Sequence, residues 1–100
     1  MAQNPAFHAL LARMAETHDR KNADYAQDGN PYSNFEEAAA SAGCSVDTVF
    51  RVLIGIKQAR LKELLKGEKT AQNESVDDSK LDLAVYAALW ASYAEREMPF

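Results

Sequence analysis

The sequence predicts an all-α fold: a compact bundle of about four helices, the last two long and antiparallel. Three observations predict it. Apolar residues recur at helical spacing, as in Phe7, Leu10, Leu11 and Met14. Gly and Pro fall almost entirely between such segments, where they interrupt regular structure. No stretch alternates apolar and polar residues as a half-buried strand would, and no segment repeats.

Each element has its own start and stop. Asn4 suits an N-cap for the first helix, and Pro5 fits its first turn, where the N–H that proline lacks would have no intrahelical partner. The apolar stripe carries this helix to about Lys21. A loop follows from Asp24 to Ser33, holding the turn pairs Asp28-Gly29 and Asn30-Pro31. Ser33 and Glu36 form a capping box for a short second helix, which Gly43 ends. Ser45 caps the third helix, expected to run to about Lys66 before Gly67 stops it. Glu68 to Asn73 is a polar connection, and the fourth helix runs from near Asn73 or Ser75 to about Glu95. Gly55 breaks the pattern inside helix three, at about 1 kcal/mol against Ala. Close approach by another helix is the expected reason for it.

Size and composition bound the function. One hundred residues suffice for one modest core, so a single helical domain over 1–100 with short terminal tails is expected. With 47% hydrophobic and 26% charged residues, the chain has the composition of a globular protein. Its net charge of -4 argues against a binder of duplex DNA or anionic membranes, which carries a basic surplus. A small phosphorylated ligand stays compatible, because a few local cations hold one. The single Cys44 excludes an internal disulfide and a cysteine-based zinc site, and His8 and His18 are too far apart to make a metal site alone. The opening residues have no leader pattern and no apolar run approaches the roughly 18 residues a membrane span needs. A cytoplasmic protein is expected.

Sorting side chains by the 100° helical advance exposes an anomaly. On helix three, Val46, Val49, Phe50, Leu53, Ile54, Leu61 and Leu64 share an arc, with Arg51, Gln58 and Lys62 opposite. Lys57 and Arg60 fall within the apolar arc. On helix four, Asp78 and Asp82 lie on the face of Val85, Tyr86, Leu89 and Tyr93, with Glu74 one turn earlier. Burying an unpaired charge costs several kcal/mol, so these groups are expected to meet partners. Either Lys57 and Arg60 pair with Asp78 and Asp82 as scaffolding, or the pairs line a ligand cavity.

Several segments together resemble the nucleotide-modification-associated domain 1 family of small phage and prophage proteins. They are His18-Asp19-Arg20-Lys21-Asn22-Ala23-Asp24-Tyr25, Ser33-Asn34-Phe35, Lys57-Gln58-Ala59-Arg60-Leu61, Asn73-Glu74-Ser75-Val76-Asp77-Asp78 and Leu81-Asp82-Leu83-Ala84-Val85-Tyr86. The resemblance spans roughly residues 15 to 90. It implies an all-helical domain associated with phage nucleotide metabolism, and a protein acting in the host cytoplasm. It also implies a distant likeness to MazG-type pyrophosphatases, which hold magnesium with Glu-x-x-Glu and Glu-x-x-Asp on two helices. Glu74-x-x-Asp77 matches the second pattern. The first is missing, since Ala39 and Ala40 follow Glu36 and Glu37 where a further Glu would be needed.

Three readings follow. As a binding module, Lys21, Lys57 and Arg60 hold phosphate oxygens, Tyr25, Tyr32 or Phe35 stacks on a base, and Asn22 and Asn34 read a base or ribose edge. Asp24, Asp78 and Asp82 complete the candidate site. No cofactor is then needed, and sequestering a nucleotide, such as a host-defence signal, is the expected role. As an enzyme, Glu74, Asp78 and Asp82 at i, i+4 and i+8 would hold magnesium for pyrophosphate hydrolysis. As an interaction protein, the strip Leu83, Ala87, Trp90, Ala91 and Ala94 on helix four would be buried centrally or by a second copy, and a homo-oligomer is expected.

Overall fold

The computed structural model describes the backbone of residues 3–25, 29–67 and 75–97, and the side chains of these residues except 22–25 and 94–97. The protein is all-α. Its helices are α1 (Pro5–Tyr25), α2 (Ser33–Ala42), α3 (Val46–Leu65) and α4 (Val76–Glu97), and no strand occurs among the described residues. The chain divides into two units, Met1–Asn34 and Phe35–Phe100.

The first unit holds α1. Asn4 caps it as expected: its Oδ1 accepts from the Phe7 N–H at 3.1 Å and its carbonyl from the His8 N–H at 3.1 Å. The helix passes Lys21 and reaches Tyr25, because residues 22–25 contain neither Gly nor Pro to stop it. Phe7 and Leu11 on its apolar stripe are exposed. Downstream, the Asn30 side chain accepts from the Tyr32 N–H at 3.0 Å and the Asn30 carbonyl from the Ser33 N–H at 3.2 Å. That turn delivers Ser33 as the first residue of α2 itself, one position inside the cap expected for it.

In the second unit, α2 ends where Gly43 adopts φ +69°. The Cys44 N–H then reaches the Ala39 carbonyl at 3.0 Å and the Gly43 N–H reaches Ala40 at 3.3 Å. This pair of bonds satisfies carbonyls that a helix end otherwise leaves open, and the left-handed φ is one that glycine adopts freely. The axis turns by 98° into α3. There Ser45 sits in extended backbone and its Oγ accepts from the Thr48 N–H at 3.1 Å. Gly67, at φ +70°, stops α3 and donates to the Leu64 carbonyl at 3.2 Å. A reciprocal cap opens α4: Ser75 Oγ accepts from the Asp78 N–H at 3.0 Å, and Asp78 Oδ2 accepts from the Ser75 N–H at 3.4 Å.

Helices α3 and α4 pack extensively on each other. They run antiparallel: Asp47 and Lys57 of α3 meet Trp90 and Asp82 of α4, so the order reverses along the pair. The centre is Phe50, fully buried, with the Phe35 ring centroid 4.6 Å away and those of Trp90 and Tyr93 each at 6.4 Å. Burying such a ring contributes about 1.5–3 kcal/mol.

One packing expectation is corrected. Gly55 is exposed, and a Cβ built there meets nothing within 4 Å. Close packing at the position is therefore not its reason. Trp90, on the strip expected to be buried centrally or by a second copy, is turned toward α3. It stacks on Phe50 at an interplanar angle of 15° and is engaged inside the α3–α4 pair.

Candidate ligand-binding site

The α3–α4 seam carries charge because both helices spend core-facing positions on it. Lys57 and Phe50 are seven residues apart on α3, two turns, and so share a face. Asp82 occupies the matching face of α4, in line with Tyr86, Leu89 and Tyr93. Their side chains meet: Lys57 Nζ stands 3.0 Å from Asp82 Oδ2, with 20% and 27% of the two side chains exposed. At that separation the attraction is between about 1 kcal/mol in water-like surroundings and about 5 kcal/mol at an effective dielectric of 20. Partial desolvation of both ions offsets much of it. The pair is therefore an expensive way to join two helices, and it retains an open side toward solvent.

One turn before Asp82 lies Ser79. It is fully buried, and its Oγ has no hydrogen-bond partner among the described residues. A buried hydroxyl without a partner costs on the order of 1–3 kcal/mol. Two polar groups set against the apolar side of α4 thus lie within one turn of each other.

The other expected site residues do not all converge here. Arg60 is exposed, because three residues past Lys57 the helix has rotated to about 60° from that direction. Asp78 is also exposed, and its carboxylate serves the cap with Ser75. The inward convergence expected of four charges is therefore corrected to two, Lys57 and Asp82. Phe35 is corrected as well: its ring packs on Phe50 in the core and is no platform beside a loop. Glu36 of α2 also reaches α4, accepting from the Tyr93 hydroxyl at 3.2 Å. Lys21 and Asn34 are exposed and belong to the first unit, as does the half-buried Tyr32. The side chains of Asn22, Asp24 and Tyr25, and the whole of Glu74, lie outside the described residues.

The acidic row considered for magnesium is divided in the same way. Asp82 faces Lys57 and Asp78 faces the start of its own helix. Among the described residues no group of three His, Cys, Asp or Glu side chains stands ready to hold a metal ion.

Sequence reasoning missed two features. One is the Asp47–Trp90 bond, joining residues 43 apart in sequence, for which no local pattern exists. The other is an exposed row on α3, Val52, Gly55, Ile56 and Ala59, whose i, i+3, i+4, i+7 spacing was legible as a second apolar face. No family model, curated protein or solved structure matches this chain.

Proposed function

We propose that this chain is a binding module for a small phosphorylated nucleotide, held at the α3–α4 seam with Lys57 and Arg60 on the phosphate oxygens. The observation that supports this reading is the half-buried Lys57–Asp82 pair. Asp82 keeps the lysine ammonium extended along the seam while the site is free, so little side-chain freedom is lost when an anion arrives. Arg60, three residues on and exposed, offers a guanidinium about 4.5 Å further along the helix axis, suited to a second pair of oxygens. Asp82, which as a carboxylate only accepts, then serves a ribose hydroxyl or a base amino group. On this reading the ligand is held unchanged and the protein acts by sequestration.

The test is a thermal-shift panel of mono-, di- and triphosphate nucleotides and cyclic dinucleotides, with and without magnesium. A bound ligand at a hundredfold excess over Kd stabilises by about 2.7 kcal/mol, a readily measured rise in Tm. The rise should vanish in Lys57→Ala and Arg60→Ala. Chromatography of the ligand after denaturation should return it intact. Release of a monophosphate would establish a hydrolase instead, and a flat response across the panel would overturn nucleotide binding altogether.

A further inference from the structure

Helix α3 is apolar on two sides, and only one of them meets α4. Val52, Gly55, Ile56 and Ala59 form a continuous exposed row, with Val52 and Ile56 55% and 53% exposed. Val52 lies about 140° around the helix from Lys57, so the row faces away from the seam. A solvated helix face is ordinarily polar. Its borders are basic, with Arg51 and Lys62 along one edge and Arg60 along the other, while Glu63 and Lys66 continue the row toward the end of the helix, all exposed. From Val46 to Lys66 five cations (Arg51, Lys57, Arg60, Lys62, Lys66) oppose two acids (Asp47, Glu63), a local charge of +3 in a chain of net -4. Glu63 is matched by Lys66 at 3.5 Å in a surface pair.

We propose that this face docks an amphipathic helix with acidic flanks, supplied by a partner protein. The small residues decide for a helix. A Cβ added at Gly55 would meet nothing within 4 Å, so a partner's large apolar side chain has room above the Gly55 backbone, with Ala59 one turn on. A bilayer rewards large inserted side chains such as Trp, Phe and Leu, and the centre of this row supplies Gly and Ala. The charges oppose a second copy seated row on row: stacking two such rows brings like-charged borders together, which is repulsive. Acidic flanks on the incoming helix meet Arg51 and Lys62 on one edge and Arg60 on the other. The row lies on the opposite side of α3 from Lys57 and Asp82; Arg60 alone is shared with the nucleotide reading, and the variants below leave it in place.

The experiment titrates the full chain into a fluorescein-labelled synthetic helix with Leu at i, i+3, i+4 and i+7 and Glu on both flanks, read by anisotropy. A twin peptide with Lys flanks is the control. The Glu peptide should bind at least about tenfold more tightly than its twin, and rising salt should weaken it. Ile56→Ser should weaken it at least about fivefold, and Arg51→Glu combined with Lys62→Glu should reverse the preference. All three positions are exposed, so circular dichroism should show the variants folded. Equal binding of both peptides, or of neither, overturns the proposal. Self-association in sedimentation that Ile56→Ser abolishes would assign the face to a second copy. Co-sedimentation with phosphatidylserine vesicles that the same variant abolishes would assign it to a membrane. Either result replaces the partner helix.

Discussion

Trp90 donates its indole N–H to the Asp47 carboxylate at 2.7 Å, across the pair formed by α3 and α4. The bond is short because its acceptor is ionised. Asp47 lies in the first turn of α3, where a negative charge also complements the exposed N–H groups of the helix end. One carboxylate thus favours the start of one helix and ties it to the last turns of another. The same indole lies on Phe50, so this contact and the aromatic centre are mechanically one unit.

Removing the bond and removing the ring should therefore differ. Trp90→Phe keeps an aromatic surface against Phe50 and leaves Asp47, which is exposed, to water; a loss of about 1 kcal/mol is expected. Trp90→Ala also opens the aromatic cluster and should cost about 3 kcal/mol. Urea unfolding by circular dichroism measures both, since the chain's single tryptophan is itself the site of change. Equal losses would mean that the ring contributes nothing beyond its N–H.

Gly55→Ala should stabilise the protein by about 1 kcal/mol. The added methyl meets nothing within 4 Å, the backbone is helical, and alanine loses less conformational freedom than glycine on folding. Thermal unfolding would register a rise in Tm. A fall instead would mean that the position meets a neighbour, and would revive the close approach that the structure withholds.

Ser79→Ala should be neutral or stabilising by up to about 1 kcal/mol. The hydroxyl is wholly buried and unpartnered among the described residues, so its removal discards a desolvation cost while the cavity created is one oxygen in size. Ser79→Val, by contrast, should destabilise by about 1–3 kcal/mol through overpacking. Chemical denaturation of the two variants side by side checks the sign of each. Marked loss of stability in the alanine variant would show that the hydroxyl has a partner.

The helices were legible because their signals are local. Asn4, Ser45, Gly43 and Gly67 act on backbone groups within a turn of themselves, and each does in the structure what its residue type implies. The seam was legible only in part. Periodicity placed Lys57 and Asp82 on core-facing arcs, but it assigns a direction to within half an arc and could not separate Lys57 from Arg60, about 60° away. Nor could it foresee that the Asp78 carboxylate serves Ser75 first, although Ser75-x-x-Asp78 has capping spacing. Contacts such as Tyr93 with Glu36 and Trp90 with Asp47 depend on how helices are juxtaposed, and no periodicity within one helix encodes that.

The Lys57–Asp82 pair supplies the sharpest test, because stability and binding should separate there. Surface pairs are worth about 0–1 kcal/mol and fully buried ones cost about 3–5 kcal/mol when one partner is removed. With 20% and 27% of the side chains exposed, Asp82→Asn should fall between, at about 1–2 kcal/mol. Replacing both at once, Lys57→Met with Asp82→Leu, removes the desolvation cost along with the attraction. Stability should then return to within about 1 kcal/mol of the parent. If the pair serves only to join the helices, the double variant should behave as the parent in every respect. If the pair is kept for an anionic ligand, the double variant should be as stable as the parent and bind no nucleotide. Unfolding curves and the thermal-shift panel on the same three proteins decide between these outcomes. A double variant that still takes up nucleotide would remove Lys57 and Asp82 from the site.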